Sequence, residues 1–491
     1  MADALRTDRV RTVLAAVGLA VLASVIVLVA TRHGPGTSPD SVQYVASARN
    51  LVAGRGFTGS GGDTLTSWPP GYPGVLAVGL ELGLGVNTTA RVVNVVAMAA
   101  IVLLTFVLLR RHVRSTWLVL IATGLVAVSP TLLRTADMIW SEPLFCALLL
   151  AFVLVLESLV SGRRHRVAWF VACVAAVWAA ALVRWAGIAL IPAGMVAIGV
   201  TPPRERWIRR VLVFAVGAGL VPALWFVRNV TTGDSIAGAR PTLDRTVSET
   251  ARTLLLGIGR IVVPDGAPNA LTELAAVVLI LAFVAGTVLA IRGMRAGVSV
   301  SAWPMAPLVA TTGFTILLLL GSYFFGGTPW NARILAPVYA PLVVIGFVLF
   351  ERAREQARAV DRDALARFVA GVFFAWLVLV VAWAAGLAWD HGRHERGYAS
   401  AMWRSSALVR TAGTFDRHDV LFTNVPLEVS SVTGRYPVLD ARSLRARCRK
   451  TAVLALYGNA SAQPRLDSAV IDVGEVHRVA DGALYRLACR A

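Results

Sequence analysis

The chain has 491 residues, of which 57% are apolar and only 15% are charged, and its mean hydropathy is +0.68. A soluble domain of average composition is about 45–50% apolar and about 25% charged, so this composition excludes a soluble globular enzyme and a disordered protein. It also excludes a porin-type barrel, whose strands alternate apolar and polar residues and would not raise the mean hydropathy so far. The sequence therefore predicts a polytopic α-helical membrane protein.

The charge balance is strongly basic, with 47 Lys and Arg against 28 Asp and Glu and a formal net charge of +19. A basic excess can indicate nucleic-acid binding, but in helical membrane proteins Lys and Arg collect in the short cytoplasmic loops. We therefore expect no nucleic-acid partner, and we use the positions of the basic residues to orient the chain.

Apolar runs along the chain predict about 11 transmembrane helices, each of which needs about 20 mostly apolar residues to cross the bilayer. The runs cover residues 12–30, 88–109, 116–134, 142–160, 167–183, 186–200, 211–229, 272–291, 302–323, 333–350 and 368–388. The first run is too long for a cleaved signal segment, so we predict a retained span. The fifth and sixth runs come from one stretch that is too long for one span, and we divide it at Arg184 and Trp185.

Arginine-rich segments between the predicted spans indicate the orientation of the chain. Together with the bases near the N-terminus, five such segments fall on one side of the membrane: residues 110–114, 163–166, 204–210, 292–295 and 352–367. The positive-inside rule then predicts a multi-pass protein with a cytoplasmic N-terminus and an extracytoplasmic C-terminus.

We predict two domains, a transmembrane domain over residues 1–388 and a small extracytoplasmic α/β domain over residues 389–491. The transmembrane domain contains two long outer loops, residues 31–87 and residues 230–271. Each outer loop contains an apolar stretch that is typical of an interfacial helix, at residues 72–86 and 244–263.

The C-terminal domain is predicted from short runs of strand-forming residues. These runs are residues 420–423, 437–439 and 452–456, and a hairpin-like segment over residues 476–487. Cys448 and Cys489 both lie in this domain, where they are either unrelated thiols or, if the domain is extracytoplasmic, a disulfide.

The first outer loop contains a helix-start pattern. Ser38 is a candidate N-cap, Pro39 fits the first helical position and Asp40 follows in the first turn. The helix is expected to run to Ala53 and to stop at Gly54. Free backbone N–H groups and the positive end of the helix dipole favour a charged carboxylate at this position. Asp40 is therefore either a capping acid or a catalytic base at the membrane surface.

The first outer loop ends in a proline-rich segment, Trp68-Pro69-Pro70-Gly71-Tyr72-Pro73. The prolines stiffen the return of the chain to the bilayer, and the aromatic residues lie at the depth of the lipid headgroups. This segment is either an interfacial anchor or one wall of a substrate cleft.

Acidic residues stand at the mouth of a span in the second outer loop, which contains Arg134, Asp137 and Glu142. Acids in such a position are costly unless paired or hydrated, so they are candidate functional residues. A structural alternative for Asp137 is a salt bridge to Arg134.

Several arginines stand at the predicted outer ends of spans, where few bases are expected: Arg184, Arg228, Arg240 and Arg333. Arginine is well suited to bind phosphate, so this set predicts an anionic ligand on the outer side. The alternatives are contacts with lipid headgroups and positional chance.

Short motifs occur along the chain in a fixed order. They are Asp40-x-x-x-Tyr44, Asn50-Leu51 and Gly54-x-Gly56 in the first outer loop, then Pro69-Pro70-x-Tyr72-Pro73, Ser141-Glu142-Pro143-Leu144-Phe145, Trp225-x-x-Arg228-Asn229 with Gly233, Arg333-x-Leu335-x-Pro337, Thr423-Asn424-x-Pro426 and Thr433-Gly434-Arg435. With this ordered set the chain resembles the GT-C superfamily of polytopic glycosyltransferases. The likeness covers most of the chain, and the nearest branch is the bacterial membrane one related to protein O-mannosyltransferases and lipid A aminoarabinose transferases.

The resemblance implies inverting transfer of a sugar from a polyprenyl-phosphate donor to a hydroxyl of a lipid, glycan or protein acceptor on the outer face. It implies that Asp40 is the general base and that Asp137 or Glu142 is the second acidic residue of the site. The residues implied to hold the donor phosphate are Arg184, Arg228 and Arg333. The residues expected to line the substrate cleft are Tyr44, Trp68, Tyr72 and Asn229.

The chain departs from the family pattern at one position. Many relatives carry two adjacent acids in the first outer loop, whereas Asp40 is followed by Ser41. This favours a site without a metal, and we expect no cofactor. The scheme is chemically coherent, because an anionic leaving group needs fixed cations and an acceptor hydroxyl needs a base within hydrogen-bond reach. The expected partners are the lipid-linked donor, the acceptor and membrane lipids.

The main alternative is a secondary transporter or a lipid-linked sugar flippase. Such a protein would have charges within its spans and two similar halves with broken helices. The sequence has no evident internal repeat, and its charges collect at the ends of the spans. A further alternative is a non-catalytic membrane scaffold whose outer domain binds a partner.

Overall fold

The computed structural model describes most of the chain. The described residues are 2–162, 164–201, 206–233, 246–264, 266–295, 305–326, 328, 330–358, 363–394, 396–398, 400–416, 419–435, 438–441, 451–458 and 471–489. Arg240, Cys448 and the side chain of Cys489 lie outside this part of the chain. The expectations for these three residues therefore stay predictions.

Helices form most of the chain before the C-terminal sheet. In chain order they are α1 (Ala2–Ala30), α2 (Pro39–Val52), α3 (Gly71–Glu81), α4 (Val86–His112), α5 (Thr116–Ala127), α6 (Pro130–Ala136), α7 (Glu142–Val160), α8 (Arg166–Val183), a short 3₁₀ helix (Trp185–Ala189), α9 (Leu190–Val200), α10 (Trp207–Thr232), α11 (Val247–Gly259), α12 (Asn269–Arg295), α13 (Ala306–Gly326), α14 (Ala332–Arg358) and α15 (Asp363–His394). Prolines occupy the first turns of α6 and α7. Residues of the first turn donate no intrahelical hydrogen bond, so proline, which has no N–H group, costs none there.

Within the described residues, eight helices are long and apolar enough to cross a membrane: α1, α4, α7, α8, α10, α13, α14 and α15. Helices α5 and α6 form a ninth if they are counted as one span, bent by 41°. Two shorter apolar helical stretches cover Trp185–Val200 and Asn269–Ala285. Each predicted span overlaps one of these helices, and the polytopic helical fold class is confirmed. The number of eleven crossings stays a prediction.

The long apolar stretch in the middle of the chain is divided where the sequence predicts. Helix α8 ends at Val183, Arg184 has an extended backbone (φ −149°, ψ 142°) and the 3₁₀ helix begins at Trp185. Gly187 lies so close to the backbone of Ala181 that a Cβ atom would overlap it. The absence of a side chain at Gly187 therefore lets the chain fold back against the end of α8.

At one end of the helical bundle, basic residues in and just after the last turn of α4 contact carboxylates of other helices. Glu157 of α7 accepts a hydrogen bond from Nη1 of Arg111 at 2.7 Å. Glu351 of α14 accepts one from the backbone N–H of Arg114 at 3.0 Å. These contacts bring together the ends of α4, α7 and α14 at the end of the bundle that we predict to be cytoplasmic.

The opposite end of the bundle joins three segments that are far apart in the sequence. Gly36 pairs with Met138 in a parallel β-bridge, and Thr37 pairs with Gly397 in another. A Cβ atom at Gly36 or at Gly397 would overlap its neighbours, so these close backbone approaches require glycine. The first outer loop, the second outer loop and the segment after α15 therefore meet immediately before α2.

A helix forms in each of the two stretches predicted to be interfacial, and both helices are shorter than predicted. Their location at the membrane interface stays a prediction. Helix α3 ends at Glu81, before the predicted end at residue 86. Helix α11 begins at Val247, and a capping box between Thr246 and Glu249 defines its start.

The C-terminal part of the chain forms a small α/β unit. Its elements are α16 (Ala401–Ser405), α17 (Ala407–Thr414), β1 (Val420–Thr423), α18 (Pro426–Thr433), β2 (Val438–Asp440), β3 (Thr451–Tyr457), β4 (Ile471–Val479) and β5 (Gly482–Cys489). The strand order is β2-β1-β3-β5-β4; β1 is parallel to β2 and β3, and β5 is antiparallel to β3 and β4. Strands occur in every region where the sequence predicts them. The predicted boundary before residue 389 falls inside α15, which continues to His394, and the division into domains stays a prediction.

The sheet of this C-terminal unit is apolar on both faces. Leu421 and Phe422 are neighbours in β1, so they point to opposite faces, and both are fully buried. Leu421 packs in one cluster with Leu408 of α17 and Val429 of α18, while Phe422 belongs to a second cluster. The central strands are therefore covered on both sides, which is typical of parallel strands.

Candidate active site

The candidate site begins at the first turn of α2. Ser38 caps this helix, and Ser41 completes a capping box by accepting a hydrogen bond from the backbone N–H of Ser38 at 3.0 Å. Asp40 lies in the first turn with 25% of its side chain exposed. The predicted start of this helix is confirmed, and the helix ends one residue earlier than predicted.

Arg333, at the beginning of α14, bridges two carboxylates. Its Nη2 atom forms an ion pair with Oδ2 of Asp40, and its Nε atom donates a hydrogen bond to Oε1 of Glu142 at 2.6 Å. The guanidinium carbon lies 3.7 Å from the centre of the Trp140 ring, which is a close cation–π contact. Arg333 is therefore held on three sides, and 23% of its side chain remains exposed.

Glu142 is fully buried and is shared by two guanidinium groups. Nη1 of Arg184 lies 2.8 Å from Oε1 of Glu142, the same oxygen that Arg333 contacts. A buried carboxylate needs such pairing because the desolvation of an unpaired charge is costly. Asp40, Glu142, Arg184 and Arg333 together form a cluster with no net formal charge, and we call these four residues the charge cluster.

Three buried polar atoms, two in the charge cluster and one beside it, lack a hydrogen-bond partner within the described part of the chain. They are Oε2 of Glu142, Nε of Arg184 and the hydroxyl of Tyr72. Buried polar groups are usually satisfied, and unsatisfied ones require an explanation such as an ion, a ligand or water. They are one acceptor and two donors, and all three are closed off from solvent.

Aromatic residues of α2 and α3 pack against the charge cluster. Tyr44 is buried, its hydroxyl lies 3.3 Å from Oγ of Ser141, and its ring contacts Tyr72 at 5.1 Å and Trp68 at 6.4 Å between centroids. Burial raises the pKa of Tyr44 and of Tyr72 well above the ordinary tyrosine range, and the charge of Asp40 raises the pKa of Tyr44 further. Both phenols are therefore neutral. The expectation that these rings line a substrate cleft stays a prediction.

Asp137 contacts residues outside the charge cluster. Its Oδ1 atom accepts a hydrogen bond from Nη1 of Arg396 at 2.8 Å, and its Oδ2 atom contacts the imidazole Nδ1 of His391. The sequence suggested Arg134 as a salt-bridge partner of Asp137. The guanidinium carbon of Arg134 lies over the ring of Trp383, 5.2 Å from its centre. Only 1% of the Asp137 side chain is exposed. Its contacts join the second outer loop to the end of α15 and the segment that follows.

Arg228 and Asn229, at the end of α10, bind the backbone of the first outer loop. The Nη1 atom of Arg228 donates to the carbonyl of Leu65 at 2.9 Å, and Nη2 donates to that of Phe57 at 3.3 Å. Asn229 is buried and donates to the carbonyl of Thr66 at 3.3 Å. The structure therefore does not join these two residues to the charge cluster by a described hydrogen bond or ion pair.

Four further residues that contribute contacts in this region were not identified from the sequence. Trp140 donates from its indole N–H to the N-cap oxygen of Ser38 at 2.7 Å, and Ser141 accepts a hydrogen bond from Nη1 of Arg184 at 3.1 Å. Ser141 could have been identified from the sequence motif around Glu142, to which it belongs. His391 and Arg396 carried no signal except their position at the end of the last predicted span.

In the part of the chain that the structure describes, no group of three or more His, Cys, Asp and Glu residues is arranged to hold a metal ion. The expectation of a metal-free site stays a prediction. Cys146 and Cys173 are buried free cysteines of the helical bundle.

Comparison with known proteins adds information on the fold. No protein family model matches this chain, and no curated protein matches it. Archaeal oligosaccharyltransferase AglB from Archaeoglobus fulgidus, in complex with an inhibitory peptide and a dolichol-phosphate, matches over 89% of this chain and 69% of its own, at 12% identity and a TM-score of 0.53.

Two further solved structures match over nearly the whole chain. ArnT from Cupriavidus metallidurans bound to undecaprenyl phosphate matches over 95% of this chain and 97% of its own, at 18% identity and a TM-score of 0.51. Arabinofuranosyltransferase AftD from Mycobacteria matches over 96% of this chain and 40% of its own, at 18% identity and a TM-score of 0.57. The predicted resemblance is confirmed at the level of the fold, and the chain has the fold of the GT-C membrane glycosyltransferases.

Proposed function

We propose that this chain, with its GT-C fold, is a membrane glycosyltransferase that transfers a sugar from a polyprenyl-phosphate donor to a hydroxyl group of a lipid, glycan or protein acceptor. The observation that carries the proposal is the charge cluster, in which Arg333 joins Asp40 to Glu142 beside Arg184. The matched structures support the donor class, because one holds a dolichol-phosphate and another undecaprenyl phosphate.

In this mechanism Asp40 is the general base. It takes the proton of the acceptor hydroxyl while the acceptor oxygen attacks the anomeric carbon of the sugar from the face opposite the phosphate. The bond between the anomeric carbon and the phosphate oxygen breaks, and the lipid phosphate leaves with the electron pair. The product has an inverted anomeric centre, Asp40 is protonated, and one negative charge has moved to the leaving group. General bases of this kind contribute about 10²–10⁴-fold to rate.

Arg333 and Arg184 stabilise the charge that develops on the leaving phosphate. Fixed cations in a site of low dielectric are among the largest contributors to catalysis of this type. Nε of Arg184 is buried and has no described partner, so a phosphate oxygen would reach it only if neighbouring groups move. Arg333 contacts Asp40, so a donor phosphate would compete with Asp40 for this guanidinium group.

Glu142 serves in this proposal as the second acidic residue of the site, and its role is to position cations. Because it is fully buried and contacts both Arg184 and Arg333, it holds the two guanidinium groups side by side. No metal and no cofactor is part of the proposed mechanism. Asp137 is proposed to act at a distance, by holding the segment after α15 against the first outer loop.

Arg228 and Asn229 support the site in this proposal by ordering the first outer loop. Their hydrogen bonds to the carbonyls of Leu65 and Thr66 fix the chain between α2 and α3. Helix α2 contains Asp40 and α3 contains Tyr72. The fixed position of the chain between these two helices is therefore needed for both residues to lie beside Glu142. We propose that the charge cluster faces the outside of the plasma membrane and that the N-terminus is cytoplasmic.

The proposal is tested with Asp40→Asn, which keeps the shape of the side chain and removes the base. The purified variant is reconstituted in vesicles with a polyprenyl-phosphate sugar and a hydroxyl acceptor, and transfer is measured from the loss of donor. We expect a fall of at least about 10²-fold in turnover with unchanged folding. The matched control is Asp63→Asn, an exposed acid of the same loop, which should keep full turnover. Wild-type turnover in Asp40→Asn would show that Asp40 is not the base.

A further inference from the structure

A groove of about 410 Å³ lies between the end of α1 and the beginning of α4, apart from the charge cluster. One part of its lining is apolar and is formed by Leu28, Val92, Val95 and Val96. Val92 and Val96 are 51% and 62% exposed, which is typical of side chains that contact lipid. The groove therefore opens towards the hydrocarbon region of the membrane.

The other part of the lining is polar and is formed by His33, Asn87, Thr88 and Arg91, together with Gly34. Asn87 precedes Val96 by nine residues on α4, which corresponds to about 14 Å along a helix. The polar groups lie at the end of the bundle that carries the first outer loop. The lining therefore changes from polar to apolar over a length that suits a lipid headgroup and the first part of its fatty chain.

Arg91 is the permanent cation of this groove, and its position is fixed by α1. Its Nη2 atom donates to the carbonyl of Leu28 at 2.8 Å, and its Nε atom donates to Oγ1 of Thr31 at 3.2 Å. These bonds also satisfy the C-terminal end of α1, which is a structural role. Within the described part of the chain, Nη1 of Arg91 has no hydrogen-bond partner.

The charge of the groove favours an anion. Its lining includes Arg91 and the imidazole of His33 and contains no carboxylate. Arg91 also lies at the end of the bundle where the positive-inside rule leads us to expect few bases. A phosphate group can accept hydrogen bonds from guanidinium, amide and hydroxyl groups at once, and all three are present in Arg91, Asn87 and Thr88.

We propose that this groove binds an anionic phospholipid of the membrane, with its phosphate beside Arg91 and a fatty chain along Val92, Val95 and Val96. The bound lipid lies against Gly34, two residues before Gly36, where the first outer loop meets Met138. It therefore supports the start of the first outer loop, where that loop is paired with Met138. This site is separate from the charge cluster, and it does not depend on the proposed transferase activity.

The headgroup contact is tested with the full-length protein and vesicles of equal parts phosphatidylglycerol and phosphatidylcholine. After mild extraction, the lipids that stay bound are counted by native mass spectrometry. A cation near anionic lipid contributes enough to change binding about fivefold. We expect Arg91→Gln to retain about fivefold less phosphatidylglycerol, with phosphatidylcholine unchanged. The control Arg55→Gln removes an equal charge from the first outer loop, outside the groove, and should leave lipid retention unchanged.

The apolar contact is tested separately by filling the groove. Val95→Trp should displace the bound phosphatidylglycerol without changing any charge. Val171→Trp places the same residue on an exposed face of α8, outside the groove, and is the matched control. Because the two groove variants change different properties, misfolding of one leaves the other as a test.

Three outcomes would overturn the proposal. The first is equal retention of phosphatidylglycerol and phosphatidylcholine by the wild-type protein. The second is unchanged phosphatidylglycerol retention in both Arg91→Gln and Val95→Trp. The third is displacement of phosphatidylglycerol by undecaprenyl phosphate in a manner that depends on Arg91, which would identify the occupant as a sugar carrier. All three are measured without sugar transfer, so failure of the transferase proposal is a distinct result.

Discussion

Arg333 and Asp40 form an ion pair although 293 residues separate them in the sequence. One residue begins α14 and the other lies in the first turn of α2, so the pair joins a late span to the first outer loop. Arg333 also bonds Glu142, which makes it the residue through which both carboxylates of the charge cluster are connected.

The bridge is tested with Arg333→Lys. Lysine keeps the positive charge but lacks the planar fork with which arginine bonds two carboxylates at once. Removal of one fixed donor from a charge-stabilising site lowers turnover by about 10²-fold, and we expect a loss of that size. The measurement is transfer from a polyprenyl-phosphate sugar. Arg55→Lys is the control, and comparable loss in both variants would contradict a specific role for Arg333.

The anchor formed by Asp137 is tested with Asp137→Asn. The variant removes the charge that pairs with His391 and Arg396, and a lost charged hydrogen bond at a buried group costs about 1–3 kcal/mol. We expect a lower melting temperature of the purified protein. The control is Asp390→Asn, whose side chain is 63% exposed and pairs with His394 at the surface. That variant should change stability by less than about 0.5 kcal/mol. An equal effect of both variants would argue against an anchor at Asp137.

A pH dependence is expected from Glu428 of α18. Burial raises its pKa above the ordinary glutamate range, more than the backbone N–H groups at Leu427 and Glu428 lower it. The folded protein thus holds this proton more tightly than the unfolded chain, in which glutamate titrates at about pH 4.3. The resulting stabilisation is present below that pH and is lost as the pH rises through the higher pKa of the folded state.

We therefore expect Glu428→Gln to raise the melting temperature relative to wild type at pH 7, with a difference that shrinks towards pH 4. Thermal unfolding of the two proteins across this range is the measurement. Tyr398 provides a second sign of this environment, because burial and then the nearby Glu428 raise its pKa. A benefit of Glu428→Gln that grows as the pH falls would contradict the prediction.

The orientation is tested with single cysteines in a background whose four native cysteines have been replaced. Ser405 is exposed in the C-terminal unit, and Ser161 is exposed at the opposite end of the bundle, after α7. We expect Ser405→Cys to react with a membrane-impermeant thiol reagent on intact cells and Ser161→Cys to react only after the cells are opened. The reverse pattern would invert the predicted topology.

The sequence was sufficient to predict the elements whose causes are local. Apolar runs determine the helices of the bundle because the bilayer requires continuous helical hydrogen bonding. The start of α2 follows from Ser38, Pro39 and Asp40, which act within one turn. The break at Arg184 was predictable because the uninterrupted stretch was too long for one span.

The partners of distant residues could not be derived in this way. Asp137 and Arg396 are 259 residues apart, and neither the composition nor the spacing around either residue indicates that pairing. Arg228 was expected at the donor phosphate, whereas its described hydrogen bonds are to carbonyls of the first outer loop and to Asn229. Those carbonyls need donors once the loop is folded, and this need appears only in three dimensions. The meeting of Asp40 with Arg333 was anticipated from the family resemblance.

Glu142 also has a consequence for the order in which the protein is assembled. Glu142 is translated 191 residues before Arg333. For much of translation Arg184 is therefore the only one of its two arginine partners in the charge cluster that has been made. A nascent chain that stops before α14 lacks the residue that connects Asp40 to Glu142, so the charge cluster can form only after α14 has been inserted.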